Sequence, residues 1–244
     1  MSRSARLGFF AVSALGLATL LLWGAAGLPD FGGYHHRYGT YLAHVATSQR
    51  HATNAVTAIV FDYRGFDTLG EEFILFTSVL GVALLLRDVR EDAPRPRDAM
   101  NSDPVGLVGT AFAALLLVLG LYVVAHGAIT PGGGFQGGVV LASAFALVYL
   151  AGEYRAYRRV APHPALDFVE GVGAGGYVVI GLASMLLGSA FLHNFGPLGT
   201  TGTLASGGSI PFLNVASALE VSAAFVLLFS EFLDELVVRP PGPE

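Results

Sequence analysis

Residues 213–236 read LNVASALEVSAAFVLLFSEFLDEL. From Leu213 to Ser230 the run is apolar or small, apart from Asn214 and one acid, Glu220. About 20 such residues span the hydrocarbon core of a bilayer as a helix. Glu220 stands nine residues after Pro211. At about 1.5 Å of rise per residue that is roughly 14 Å along a helix, close to half the hydrocarbon thickness. The stretch therefore predicts a transmembrane helix with a carboxylate near its midplane. Ionisable groups inside a span normally face a bundle interior or a water path and are functional by default. A carboxylate there can hold a proton or a metal cation, as ion exchange requires; the alternative is a structural hydrogen bond to a neighbouring helix.

The rest of the chain repeats the pattern. Of 244 residues, 53% are hydrophobic and 13% charged, half the charged share of a typical soluble domain. Six apolar spans are predicted, over residues 7–28, 69–86, 105–125, 139–151 (with helix continuing into an Arg-rich tail), 169–192 and 212–233. The fold class is thus all-α and polytopic. All 13 basic residues are Arg, and six spans put ten of them on one side and three (Arg37, Arg50 and Arg64) on the other. By the positive-inside rule both termini are cytoplasmic. The first span, with its Arg-bearing start and Ala25–Ala26, looks like a signal peptide but is read as a retained helix. Cys is absent, which excludes disulfides and thiolate metal sites. No basic stripe or motif suggests nucleic-acid binding.

Between the spans, residues 29–50 form an outer loop rich in Tyr and His (Tyr34, His35, His36, Tyr38, Tyr41, His44, then His51). It reads as an interfacial loop packed on a neighbour, or less simply as a metal-binding cluster. The stretch DVREDAPRPRDAMNSD, 88–103, is charged and Pro-broken, hence a linker. It divides residues 1–98, with two spans and the outer loop, from a four-helix part, 99–244.

Two further stretches can carry chemistry. In HGAITPGGGFQGG, His126–Gly138, three consecutive glycines permit positive φ and close approach. This is either a tight external turn or irregular backbone lining a cavity at membrane depth. His126 can shuttle protons near neutral pH, though a lone interfacial His is commonly structural. In TNAVTAIVFDYRGFDTLGEE, Thr53–Glu72, the apolar start is too short to span and reads as a half-helix or interfacial helix breaking at Arg64–Gly65. Arg64 can pair with Asp62 or Asp67, and Thr68-Leu-Gly-Glu71 fits a capping box at a helix start. Acids at a pore mouth also concentrate cations. In the fifth span Gly171 and Gly175, and Ser184 and Gly188, have the spacing of close helix packing. Asp167 and Glu170 read as solvated residues at its start.

Taken together these motifs resemble known families. NAVTAIVFDYRGFDTLGE, Asn54–Glu71, resembles the MbhE-like region, found as a small subunit of membrane-bound hydrogenases and as the C-terminal extension of the large subunit of Mrp antiporters. HGAITPGGGFQGG and LNVASALEVSAAFVLLFSEFLDEL resemble the signature and last helix of the MnhB, or MrpB, family, with Glu220 at the acidic position. The resemblance implies a fusion: an MbhE-like part, 1–98, ahead of an MnhB-like part, 99–244. It implies a plasma-membrane, multi-pass subunit of a Na+/H+ antiporter with no cofactor and no catalytic centre of its own, partnered by other Mrp-type subunits, including large antiporter-like ones, and by lipid, Na+ and H+. By motif it carries Asp62, Arg64, Asp67, Glu71, His126 and Glu220 into an ion path, and Thr130, Pro131, Gly132, Gly133, Gly134, Phe135 and Gln136 into the Gly-rich motif. Many antiporter members have an Arg-Gly-His-Asn-like run before the glycines; His126-Gly-Ala-Ile-Thr is closer to the hydrogenase branch, so a redox-driven parent complex stays open. So does a purely structural subunit; six helices could suffice for an independent transporter, but the absence of an inverted repeat speaks against it. No nucleophile, metal or acid–base set has the spacing of an enzyme.

Overall fold

The computed structural model describes residues 3–28, 37–87 and 103–238. The described residues form helices and connecting turns without a strand. They are α1 (Arg3–Ala26), α2 (Arg37–Arg50), α3 (Ala55–Ala58, running on as a π-turn over Ile59–Tyr63), α4 (Gly65–Arg87), α5 (Asp103–Ala125), α6 (Gly134–Val160), α7 (His163–Leu186) and α8 (Ile210–Val238). Six of them, α1 and α4–α8, are long and apolar enough to cross a membrane.

The chain divides into two compact units, Met1–Thr40 and Tyr41–Glu244. The first holds α1, whose described side chains are exposed along its length. Tyr34, His35 and His36 and the linker residues 88–102 lie outside the described residues, as does Arg239.

In the second unit α8 is the axis. Its apolar window is 61% buried, against at most 33% for α4–α7. The glycines explain how its neighbours come so close. A Cβ on Gly134 of α6 would stand 2.6 Å from the Ser217 Cβ, and one on Gly138 2.8 Å from the Val221 Cβ. Farther along, the Tyr157 hydroxyl donates to the Val226 carbonyl (2.9 Å) and meets Ser230 Oγ (2.6 Å). α6 therefore runs parallel to α8. α7 runs the other way, with Gly176 opposite Ala216 and Gly173 packed on the Glu220 backbone. α4 is parallel to α8, since Glu72 faces Ser217 while Val79 joins the buried cluster of Ala224, Val226 and Leu227. In lipid, where hydrophobic burial does not drive helices together, such small-residue contacts carry the packing.

Four sequence expectations are corrected. First, residues 37–50 are helix rather than loop, because Leu42 and Ala46, four apart, bury one face. Second, α4 begins at Gly65, so Thr68 lies within the helix; its hydroxyl donates to the Val60 carbonyl (2.6 Å), and no capping box with Glu71 forms. Third, α7 is 163–186 rather than 169–192. Pro164 in its first turn suits a helix start, and Gly188 at φ +80° follows its end. Its buried lane is Leu166, Glu170, Gly173, Ala174, Tyr177, Gly181 and Ser184, so Gly171, Gly175 and Gly188 face open space instead of a neighbouring helix. Fourth, Glu170 is on that lane and buried, whereas Asp167 is exposed.

Candidate functional site

The site is built where α4, α7 and α8 meet. Glu220 is 0% exposed, and neither carboxylate oxygen accepts a hydrogen bond from the protein. Ser217, one turn earlier on α8, is also fully buried, and its hydroxyl faces the carboxylate of Glu72 on α4. Glu72 is itself 0% exposed, and neither of its oxygens accepts a well-formed hydrogen bond. On α7, Glu170 lies one turn before Gly173, the residue packed on the Glu220 backbone, and one of its oxygens is likewise unpartnered. Three helices thus bring three buried acids to neighbouring levels of α8. A buried carboxylate short of donors must share its charge with a proton or a cation.

The Gly-rich turn closes one end of this site. Gly132 and Gly133 adopt φ of +141° and +146°, a region closed to side-chain-bearing residues, and α6 starts at the next residue. The turn is pinned by Asn54, whose Nδ2 donates to the carbonyls of Gly127 (2.8 Å) and Thr130 (2.9 Å), while Thr57 Oγ1 also donates to Gly127 O (2.7 Å). Asn214 of α8 accepts from the Gly134 N–H (2.8 Å). The π-turn and α4 are tied in by Tyr177 of α7, which donates to the Gly65 carbonyl (3.0 Å).

The residues singled out in the sequence take different places. Asp62 pairs with Arg50, whose guanidinium also lies 4.9 Å over the Tyr63 ring. Arg64 pairs with Asp67 on the surface. Glu71 is exposed on the rim of a groove of about 140 Å³, walled by Val60, Thr68, Gly133, Gly134, Phe135 and Gln136. Thr130 and Pro131 complete the turn. His126 stacks on Tyr122 at 4.0 Å and does not join the acids. Sequence reasoning singled out Glu71 and passed over its neighbour Glu72; only the phase of α4, set by buried Thr68 and Val79, separates them. At the far end of α8, His163 lies 3.7 Å from Glu231 and 3.8 Å from Asp234, and Tyr154 donates to Asp234 (2.5 Å). Among the described residues no group of three His, Cys, Asp or Glu is placed to hold a metal ion.

With this geometry in hand, comparison with known proteins gives two family matches. Residues 104–227 match the domain related to the MnhB subunit of the Na+/H+ antiporter, and residues 33–100 match MbhE, a subunit of MBH. An uncharacterized protein of Methanocaldococcus jannaschii is 31% identical over 217 residues, covering 76% of this chain and 81% of that one. A Na+/H+ antiporter subunit of Bacillus subtilis is 33% identical over 85 residues, covering 34% of this chain and 57% of its own length. Among solved structures, a chain of the membrane-bound sulfane sulfur reductase, an archaeal respiratory membrane complex, aligns with a TM-score of 0.72 at 30% identity over 94% of this chain and 98% of its own length. A chain of the Mrp complex from Dietzia sp. DQ12-45-1b aligns with a TM-score of 0.66 at 27% identity, over 100% of this chain and 27% of its own length.

Proposed function

Because the chain belongs to the family of domains related to the MnhB subunit of Na+/H+ antiporters, we propose that it is a subunit of a multi-subunit monovalent cation/proton antiporter and contributes part of the cation path. The single observation that carries this reading is Glu220, fully buried on the central helix with no protein donor to either oxygen. An acid so placed in a span holds either a proton or a cation, and exchange of the two is the chemistry of antiport. The chain supplies no catalytic centre of its own. It resides in the plasma membrane, a reading that its long apolar helices support, with other antiporter subunits covering part of their exposed faces. Residues 1–98 and 99–244 are two fused ancestral parts, in keeping with the separate matches over 33–100 and 104–227. Both termini face the cytoplasm, the side that collects ten of the thirteen Arg residues.

The alignment with a respiratory complex chain over nearly its full length favours a second parent, an antiporter module driven by a redox unit. Purification of the tagged protein from mild-detergent membranes, with mass spectrometry of the co-purifying chains, separates the two. Large antiporter-like subunits alone identify a stand-alone antiporter; iron–sulfur subunits in the same particle identify the redox-driven form. Recovery of the chain by itself from an intact preparation refutes the subunit reading. Within the complex, Glu220→Gln keeps the shape of the side chain and removes its charge. Cation-driven proton flux in membrane vesicles should fall about tenfold or more with the complex still assembled. Unchanged flux would leave Glu220 a structural strut.

A further inference from the structure

Resting on the ion-path reading of Glu220, the geometry points to Glu72 as a second carboxylate of that path, exchanging one proton or small monovalent cation with Glu220 by way of Ser217, and to the groove at Glu71 as the route by which the pair is loaded. Three observations meet here. Glu72 and Glu220 are both fully buried, and all four of their carboxylate oxygens lack a hydrogen-bonded protein donor. Ser217 is one turn from Glu220 on the same helix and faces Glu72 on the other; it too is fully buried, and its hydroxyl makes no hydrogen bond of good geometry within the protein. A serine hydroxyl both donates and accepts, so it can take a proton from one carboxyl as its own hydrogen passes to the next, and it can offer an oxygen to a metal cation. Only O–H bonds form and break in the proton form of this step.

The direction of loading follows from what lies on each side. Toward the His163–Glu231–Asp234 cluster, α8 presents Ala224, Val226 and Leu227, packed with Val79 and Leu166 in a buried apolar cluster. From Glu220 to Glu231 is eleven residues, about 16 Å along the helix axis. On the other side the partition is thin. Thr68 lines the groove and sits one turn from Glu72, while Gly133 and Gly134 form its wall. Gly134 is the residue whose missing Cβ lets α6 lie directly on Ser217. A single glycine backbone thus separates the groove from the Ser217–Glu72 pair. Glu71, exposed on the rim, supplies the charge that draws a cation to the opening. The other ionisable groups packed around the pair are Glu170 and Tyr177 of α7.

The test uses the assembled complex in membrane vesicles and in purified form. Glu72→Gln is expected to lower Na+-, K+- or Li+-driven proton flux about tenfold or more, with Glu72→Asp keeping part of it. Normal flux in Glu72→Gln beside dead Glu220→Gln overturns the role of Glu72 and leaves the reading of Glu220 standing; normal flux in Glu220→Gln removes both. Should Glu72→Gln fail to assemble, infrared difference spectra of wild-type and Glu72→Asp complexes on cation addition decide. Two carboxyl bands should change in the wild type, one of them displaced by Glu72→Asp; a band set untouched by Glu72→Asp overturns the proposal. For the route, the natural chain has no Cys, so Gln136→Cys and, at the far end of α6, Arg159→Cys are single reporters. A cationic thiol reagent should label Gln136→Cys and reduce its flux relative to the same vesicles untreated, whereas labelled Arg159→Cys should keep its flux. Absence of labelling at Gln136→Cys, or labelling without inhibition, overturns loading through the groove.

Discussion

Glu71 and Glu72 stand side by side in the sequence and in opposite surroundings: one on the rim of a groove, the other sealed against α8. Residue types alone do not distinguish them, because α4 is apolar on most of its circumference and its buried lane leaves little mark on the sequence. Glu220 was legible because it is a lone acid deep in an apolar run. Glu170 was not, because an acid near a helix start is usually solvated, and here a glycine one turn later draws α7 onto α8. Asn54 gave no signal either, yet it anchors the Gly-rich turn through the Gly127 and Thr130 carbonyls. Asn54→Ala removes both bonds; Gly127 O keeps Thr57 Oγ1, while the half-buried Thr130 carbonyl loses this donor, which costs about 1 kcal/mol. The expected outcome is a lower thermal-aggregation midpoint of the solubilised complex; an unchanged midpoint would show that the turn holds itself.

The long helices were legible as elements, since a run of twenty apolar residues has few other uses. Their ends were less so: α7 starts where Pro162 and Pro164 allow it, six residues before the apolar run begins. α2 escaped notice because it buries only Leu42 and Ala46 and is mostly polar elsewhere. The glycines show most clearly what a pattern can and cannot say. Gly171 and Gly175 have the spacing of a packing motif but meet nothing within 4 Å, whereas Gly134, Gly138 and Gly173 carry the contacts of α6 and α7 with α8. Gly134→Ala or Gly173→Ala should therefore destabilise the fold by about 1–3 kcal/mol through overpacking. Gly171→Ala, which meets open space in mid-helix, should leave the isolated chain's stability unchanged or raise it by up to about 1 kcal/mol. Melting curves of the purified subunit in detergent compare them directly, and equal losses at all three positions would contradict this packing scheme.

Across the second unit, α8 runs its length with α4 and α6 beside it in the same sense and α7 against them. The Gly-rich turn and the 187–209 connection accordingly lie at one end, and the α6–α7 connection at the other. Cysteines placed singly at Thr201 and Arg159 should react with an impermeant thiol reagent from opposite faces of sealed vesicles, with Arg159 on the cytoplasmic face. Reaction of both from one face would break the arrangement. The apolar layer at Ala224, Val226 and Leu227 then acquires an electrical meaning. A low-dielectric slab is where a transmembrane voltage falls most steeply, and a full crossing of 100 mV is worth about 2.3 kcal/mol per elementary charge. On the proposed route, a cation stepping from the groove to Glu220 would cross little of that field, so loading would be nearly indifferent to membrane potential. The voltage acts chiefly on whatever charge crosses the slab between Glu220 and the far end of α8.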